Sequence, residues 1–149
     1  MRKEKSNVMT TKNNISRFRE ASDWNYEFAL KEIRNGQKRS HWIWFIFPQM
    51  RGLGFSHNSN YYGIVDLDEA KAYLEDSILG ARLREITQAL LSHNDKTAVE
   101  IFGSIDAMKV KSSMTLFDLV APNDIFAQVL LQFYDGNRCA KTLELVNRN

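Results

Sequence analysis

The side chains of this chain that are best suited to chemistry are concentrated in two segments. In the first, between Ser40 and Ser59, His41 begins an apolar run, Trp44 lies inside it and Gln49 follows its end. An imidazole titrates near neutral pH and can act as an acid or a base, and an indole can stack on a base or a similar ring. The segment therefore predicts a wall of a small-molecule pocket, with His41 catalytic and Trp44 and Gln49 binding the ligand.

Other interpretations of this segment stay open. His41 could instead donate a hydrogen bond to a backbone carbonyl at the start of a helix. Trp42 and Trp44 are two residues apart, so in a helix they point in different directions and only one of them can line a pocket. The other belongs to the core.

A glycine-containing loop follows, with the pattern Gly52-x-Gly54-x-Ser56 and then Ser59. Backbone N–H groups and hydroxyls in such a loop can hold an oxyanion or a phosphate, which makes Ser56 and Ser59 candidate ligand-binding residues. The loop lacks the spacing of a dinucleotide fingerprint and the lysine of a phosphate loop. A loop that only turns the chain is the alternative.

The second segment contains Asp106, Lys109, Ser112 and Ser113. On a helix Asp106, Lys109 and Ser113 follow steps of three and four residues and share a face, with Ser112 beside them. A carboxylate, an ammonium group and hydroxyls in a row can position an anionic ligand and a proton-transfer group, so Asp106 is a second catalytic candidate and the other three are ligand-binding candidates. A surface ion pair is the alternative.

The elements that position these residues are predicted to be helices. Apolar residues recur mostly at steps of three and four, so we expect an all-α fold, a compact orthogonal bundle of about six to eight helices in one domain. In the first helix Asp23 is the predicted N-cap and Gly36 ends the helix. Its predicted apolar stripe consists of Ile15, Phe18, Trp24, Tyr26, Phe28, Ala29, Leu30 and Ile33. Further helices are predicted at residues 42–47, 59–64, 68–74 with Asp66 or Leu67-Asp68 as the cap, 79–91, 97–102, 104–119, 125–134 and 140–146.

Composition limits the classes of function. A chain of 149 residues fits one domain, residues 15–149, and residues 1–14, which are polar and basic, are predicted to be a mobile tail. The net charge of +2 is too small to indicate a nucleic-acid partner by itself. Such binding would require Arg34, Lys38, Arg39 and Lys111 to align on one face.

Cysteine and histidine usage excludes other sites. Cys139 is the only cysteine, so no internal disulfide is possible, and three separate histidines do not predict a metal site. No secretory signal and no apolar stretch long enough to cross a membrane is present, so we expect a cytoplasmic protein without a membrane partner. No cofactor is predicted, and the sequence leaves the oligomeric state open.

Four strings resemble the bacterial family called domain of unknown function 1810. They are Arg39-Ser40-His41-Trp42-x-Trp44-Phe45-x-Phe47-Pro48-Gln49, Gly52-Leu53-Gly54-x-Ser56, Ile101-Phe102-Gly103-x-x-Asp106 and Lys109-x-x-Ser112-Ser113-Met114-Thr115-Leu116-Phe117. The resemblance implies a small, mainly helical, single-domain cytosolic protein with no settled activity. Some members carry a calpain-inhibitor label, but that inhibitor class is disordered and repetitive and this chain is neither. One departure is visible, because Cys139 stands where the family usually has an aspartate.

A looser likeness links Tyr62-x-Ile64, Leu79-Gly80-x-Arg82-Leu83 and the helix from Lys109 to the helical N-glycosidase superfamily of ADP-ribose and riboflavin-pathway intermediates. That likeness implies Trp44 stacking on a ring, Lys109 holding phosphate and His41 or Asp106 moving a proton.

Two functional hypotheses follow. In the first, the two segments meet around one pocket for a nucleotide or ADP-ribose-like ligand, with hydrolysis of an N-glycosidic or ADP-ribosyl bond as the reaction. In the second, the chain is a non-catalytic module whose Trp42 or Trp44 is exposed and docks a partner or a second copy.

Overall fold

Residues 14–148 are described by the computed structural model, and they form nine helices and no strand. The helices are α1 (Ser16–Arg34), α2 (Ile43–Ile46), α3 (His57–Tyr61), α4 (Leu67–Glu75), α5 (Leu79–Leu91), α6 (Ala98–Phe102), α7 (Ser104–Val120), α8 (Ile125–Tyr134) and α9 (Ala140–Arg148). The all-α prediction is confirmed, and three of the nine helices have only four or five residues. The predicted mobile tail lies outside the described residues apart from Asn14, whose side chain accepts a hydrogen bond from Ser16.

Helix α7 organises the fold and contacts α2, α4, α6, α8 and α9. Every residue from Ser112 to Asp118 is buried, because the surrounding helices cover that part of α7. The first turns are more open, and Ile105 and Met108 reach solvent. One helix therefore supplies both core residues and a stretch of surface.

Aromatic contacts hold the first segment against the beginning of α7. The rings of Trp42 and Phe47 are 6.2 Å apart between centroids, and Phe47 meets Phe102 edge to face at 5.9 Å. Phe102 ends α6, one residue before the glycine that precedes α7. Packing of apolar rings thus brings together two segments separated by more than fifty residues in sequence.

The start of α1 differs from the prediction. The helix begins at Ser16, so Asp23 lies inside it and is not an N-cap. The Asp23 carboxylate instead accepts hydrogen bonds from Arg82 at 2.8 Å and from Arg19 at 3.1 Å. The predicted end is confirmed, since Gly36 has a φ of 78°, which favours glycine.

The predicted apolar stripe of α1 is confirmed in part. Phe18, Tyr26, Ala29 and Ile33 are buried as predicted, but Trp24 is 79% exposed and Phe28 is 62% exposed. Arg17 and Ser22 complete the side of α1 that faces the core.

Caps explain two further helix starts. Asp66 accepts a hydrogen bond from the backbone N–H of Glu69 and begins α4 as predicted. The helix predicted at residues 59–64 is found at His57–Tyr61, because the hydroxyl of Ser56 accepts the backbone N–H of Ser59 and starts the helix earlier.

Candidate functional site

A cleft of about 400 Å³ lies where the segment before α2 meets the start of α7; we call it the Trp44 cleft. It brings together four of the predicted site residues, His41, Trp44, Asp106 and Lys109. Its complete lining is Lys38, His41, Trp44, Phe102, Gly103, Ser104, Ile105, Asp106 and Lys109.

Asp106 is the charged centre of the Trp44 cleft. One of its carboxylate oxygens is 2.8 Å from the Lys38 ammonium nitrogen, and the other is 3.4 Å from that of Lys109. Lys38 is held tightly, since its side chain is 8% exposed and it also donates to the carbonyl of Ser40 at 2.5 Å. The two ammonium groups outnumber the one carboxylate, so this cluster carries a net positive charge.

The two lysines also lie over aromatic rings. The Lys109 ammonium nitrogen is 5.1 Å from the centre of the Trp44 ring, and that of Lys38 is 5.1 Å from the Trp42 ring. These are cation–π distances, which stabilise the observed lysine positions. Trp44 is half-buried and its indole N–H is buried with no hydrogen-bond partner among the described residues.

His41 lies on the rim of the Trp44 cleft. It is exposed, and within residues 14–148 its ring makes no hydrogen bond, so the alternative in which it donates to a backbone carbonyl is wrong. Its imidazole is therefore accessible to a molecule in the cleft.

Glu32 on α1 fixes the backbone that carries these groups. Its carboxylate accepts hydrogen bonds from the backbone N–H of Arg39 at 2.7 Å, the backbone N–H and hydroxyl of Ser40 at 2.9 and 2.5 Å, and the indole N–H of Trp42 at 2.9 Å. Burial raises the pKa of Glu32, but these donors outweigh it and lower the pKa to about 2. Glu32 thus stays ionised and holds the loop. No local pattern in the sequence marks Glu32 as part of the site.

A second cleft, of about 410 Å³, also lies along α7; we call it the Cys139 cleft. Its charged lining residues are Lys109, Lys111 and Lys141, and no carboxylate is among them. The other lining residues are Gln49, Leu53, Gly54, Ile105, Met108, Ser112, Cys139 and Ala140. Gln49 and Ser112 are the predicted ligand-binding residues that this cleft contains.

The thiol of Cys139 sits immediately before α9. Burial raises its pKa, but a hydrogen bond from the Ser112 hydroxyl at 3.3 Å and the backbone N–H groups of Lys141 and Thr142 outweigh burial, and the pKa is lowered. The Ser112 hydroxyl has one proton and a second acceptor, the carbonyl of Met108 at 3.1 Å. Ionisation of Cys139 would therefore turn that proton towards sulfur.

Lys109 and Ile105 line both clefts, which makes α7 a wall shared by the two. The clefts are therefore adjacent, and the Lys109 ammonium group lies between them.

Three predicted ligand-binding residues line neither cleft. Ser56 is the exposed cap of α3, and its hydroxyl donates to that of Ser59 at 3.0 Å. Ser59 is buried behind the loop, where a β-carbon added to Gly54 would lie 2.5 Å from its hydroxyl oxygen. Ser113 is fully buried, with no hydrogen-bond partner for its hydroxyl among residues 14–148. The first two support the loop, and the third belongs to the core.

The tryptophans have separate surroundings. Trp42 is fully buried and Trp44 is half-buried at the base of a cleft, so neither forms the exposed flat patch that the docking hypothesis requires. Only one of the two lines a pocket, as their spacing predicts.

Two kinds of feature are absent from the described part of the chain. No three His, Cys, Asp or Glu side chains in residues 14–148 lie close enough together to hold a metal ion. None of the helices in this range combines the length and apolar character needed to cross a membrane.

Comparisons with known proteins give two matches. The model of a family described as a protein of unknown function, DUF1810, matches residues 12–146. The crystal structure of the conserved hypothetical protein Rv1873 from Mycobacterium tuberculosis is similar, with 40% sequence identity, a TM-score of 0.88, and coverage of 91% of this chain and 97% of that one. No curated protein matches at a significant level. The likeness to the N-glycosidase superfamily is not shown by these matches and stays a prediction.

Proposed function

This chain belongs to the DUF1810 family of proteins of unknown function, and we propose that it binds a small organic anion with a flat ring, of the nucleotide or ADP-ribose type, across the Trp44 and Cys139 clefts. The position of Lys109 carries the proposal, because this residue lines both clefts. A molecule that spans them would have its charged group within reach of that ammonium group. The clefts, of about 400 and 410 Å³, have the size of small-molecule sites.

The Trp44 cleft is suited to the ring. A half-buried indole lines it, and aromatic stacking of a nucleobase on a protein ring is worth about 1–3 kcal/mol. Lys109 already approaches the indole as a cation, so the ring of a ligand would enter beside an ammonium group.

The Cys139 cleft is suited to the anion. Lys109, Lys111 and Lys141 line it, and no carboxylate is among its lining residues. Lys109 is paired with Asp106 at 3.4 Å and Lys141 with Glu144 at 3.5 Å, so Lys111 is the lysine of the three that forms no ion pair in the described part of the chain. Gln49 and Ser112 add an amide and a hydroxyl that can bond to phosphate oxygens. The walls between these groups are apolar, which fits a ligand with a charged end on an uncharged body.

The reaction proposed for such a ligand is hydrolysis of an N-glycosidic or ADP-ribosyl bond. Water would attack the anomeric carbon, the bond to the leaving group would break with its electron pair, and His41 would give the leaving group a proton. Asp106 would accept the proton of the attacking water once the ligand draws Lys38 or Lys109 away. A cytoplasmic location is part of the proposal, since a free thiol such as Cys139 persists in a reducing compartment.

Nucleic acid fits less well. Lys38, one of the four cations that such an interface would need, is 8% exposed and paired with Asp106. Lys111 lines the Cys139 cleft, so these cations do not form an open stripe.

Calorimetric titration with adenosine, AMP and ADP-ribose tests the proposal. We expect AMP and ADP-ribose to bind, and Lys109→Met to weaken both at least about tenfold, because a charge-assisted hydrogen bond contributes roughly 1.5–3 kcal/mol. Lys71→Met is the matched control, since Lys71 is exposed on α4 and lines neither cleft. The proposal fails if none of the three compounds binds at about 1 mM, which corresponds to roughly −4.1 kcal/mol, or if Lys109→Met and Lys71→Met bind AMP equally well.

Chromatography of the same mixtures tests the reaction. His41→Gln should bind ligand like the unmodified protein but release product about 10²–10⁴ times more slowly. Equal rates would exclude His41 as the proton donor.

A further inference from the structure

The exposed side of α1 carries two large aromatic residues that the clefts do not use. Trp24 is 79% exposed and Phe28 is 62% exposed. Phe28 follows Trp24 by four positions, so the two side chains are neighbours on one helix face. That face lies opposite the side of α1 that packs into the core through Phe18, Ser22, Tyr26, Ala29 and Ile33.

Opposite charges flank this aromatic pair. Glu20 lies one helical turn before Trp24, and Lys31 lies one turn after Phe28, with Arg34 a further turn along. All three charged residues are exposed, and in the described part of the chain neither Glu20 nor Lys31 forms an ion pair. Glu27, which is also exposed, lies between the two aromatic residues in sequence, and apart from it the face runs from acidic, through aromatic, to basic.

We infer that this face of α1 pairs with the same face of a second copy of this chain, with the two helices antiparallel across a twofold axis. In this arrangement a residue of one α1 helix lies opposite the residue of the partner helix for which the two sequence numbers sum to about 52. Trp24 then meets the partner's Phe28, and Glu20 meets the partner's Lys31. The symmetry repeats both contacts, which gives two aromatic contacts and two ion pairs from one surface.

The charges select the antiparallel direction. A parallel pair of α1 helices would place Glu20 beside the partner's Glu20 and Lys31 beside the partner's Lys31. Facing like charges are unfavourable, whereas the antiparallel pair neutralises both. A patch with this pattern is complementary to itself.

A groove on the same side of α1 can receive an aromatic side chain. It has a volume of about 430 Å³ and lies beside Phe28, where the partner's Trp24 would arrive. Lys31 and Arg34 line it and could place a cation over the incoming indole. The complete lining is Glu27, Phe28, Leu30, Lys31, Arg34 and Asn35.

The size of α1 limits the strength of this contact. Its 19 residues span about 28 Å at 1.5 Å per residue, so a face about 10 Å wide offers roughly 280 Å². A standard interface buries about 800 Å² on each partner, so α1 alone supplies about a third of it. We therefore expect a weak dimer, which forms at high protein concentration and dissociates at low concentration.

Sedimentation of the full chain between about 10 μM and 1 mM tests the inference in the affinity range expected of a small interface. The unmodified protein should shift from monomer towards dimer, and Trp24→Ser should raise the dimer Kd at least about tenfold. Leu131→Ser is the control, because Leu131 is also a strongly exposed apolar residue but lies on α8. A monomer throughout this range, or equal weakening by Leu131→Ser, would overturn the inference.

Charge exchange tests the direction of the pairing. Glu20→Lys and Lys31→Glu should each weaken the dimer, because each brings like charges together, and the double variant should restore it. A general effect of altered surface charge would not restore dimerisation in the double variant. A double variant that dimerises no better than the single variants would refute the antiparallel pairing.

Discussion

Replacing Glu32 by glutamine should make the protein less stable by an amount that disappears in acid. The Glu32 carboxylate receives four hydrogen bonds, from the backbone N–H of Arg39, from the N–H and hydroxyl of Ser40, and from the indole of Trp42. A glutamine amide has one acceptor oxygen and a donor group in place of the other. At least one donor of the loop would then face an NH₂ group without a partner.

The magnitude follows from the pKa of Glu32, which is lowered from 4.5 to about 2 in the folded protein. At about 1.4 kcal/mol for each tenfold change in proton affinity, this difference contributes at most about 3 kcal/mol to folding. The side chain is only half-buried, so solvent screening reduces the figure, and we expect about 1–2 kcal/mol. Because the folded pKa is the lower one, this stabilisation is complete above about pH 5 and is lost as the pH falls towards 2.

Urea denaturation of the two proteins between pH 7 and pH 2.5 measures this effect. The free energies of unfolding should differ by about 1–2 kcal/mol at pH 7 and converge in acid. Glu75→Gln, at an exposed position on α4, serves as the control and should change little at any pH. A difference between Glu32→Gln and the unmodified protein that stays constant with pH would refute the electrostatic reasoning, since a packing defect does not titrate.

Alkylation of Cys139 by iodoacetamide should rise with pH around a midpoint below that of free cysteine, because its pKa is lowered, and Ser112→Ala should move that midpoint up. A midpoint at or above that of free cysteine would contradict this prediction. Glu69→Gln should lower the free energy of unfolding in urea by about 3–5 kcal/mol, because it leaves the buried guanidinium of Arg17, 3.0 Å away, without its partner. Glu144→Gln removes a charge from an exposed pair with Arg148, and it should lower the free energy of unfolding by less than about 1 kcal/mol. An equal loss of stability in Glu69→Gln and Glu144→Gln would show that burial of the ion pair does not set the cost.

Helix ends were predictable where a local signal marks them. Gly36 adopts a positive φ that other residues resist, and Asp66 caps α4 with its own carboxylate. Such signals depend on neighbours within four residues, which the sequence displays directly.

The buried side of α1 was predictable only in part. Phe18, Tyr26, Ala29 and Ile33 of the predicted stripe are buried, but Trp24 and Phe28 are exposed. Trp24 and Phe28 also have helical spacing, so only the packing of other helices decides which apolar residues are buried. Hydrophobic type alone therefore added two residues of the exposed face to the stripe.

The site was predictable in part for a related reason. His41, Trp44, Asp106 and Lys109 meet around one cleft, but nothing in the local pattern indicates that Glu32 holds the loop before α2. That contact depends on how residues 35–42, which have no periodicity, return across the end of α1. Cys139 was recognised only as a departure from the family pattern, and its place in a lysine-lined cleft required the fold.

The sharing of Lys109 between the two clefts has a consequence for competing ligands. Two separate small ions, one in each cleft, would compete for the same ammonium group, so the binding of either should reduce the affinity for the other by the same factor. A single longer molecule that occupies both clefts is not subject to this competition. The Lys109 side chain can in this way favour long ligands over short ones, although two separate ions bound in the two clefts would not touch each other.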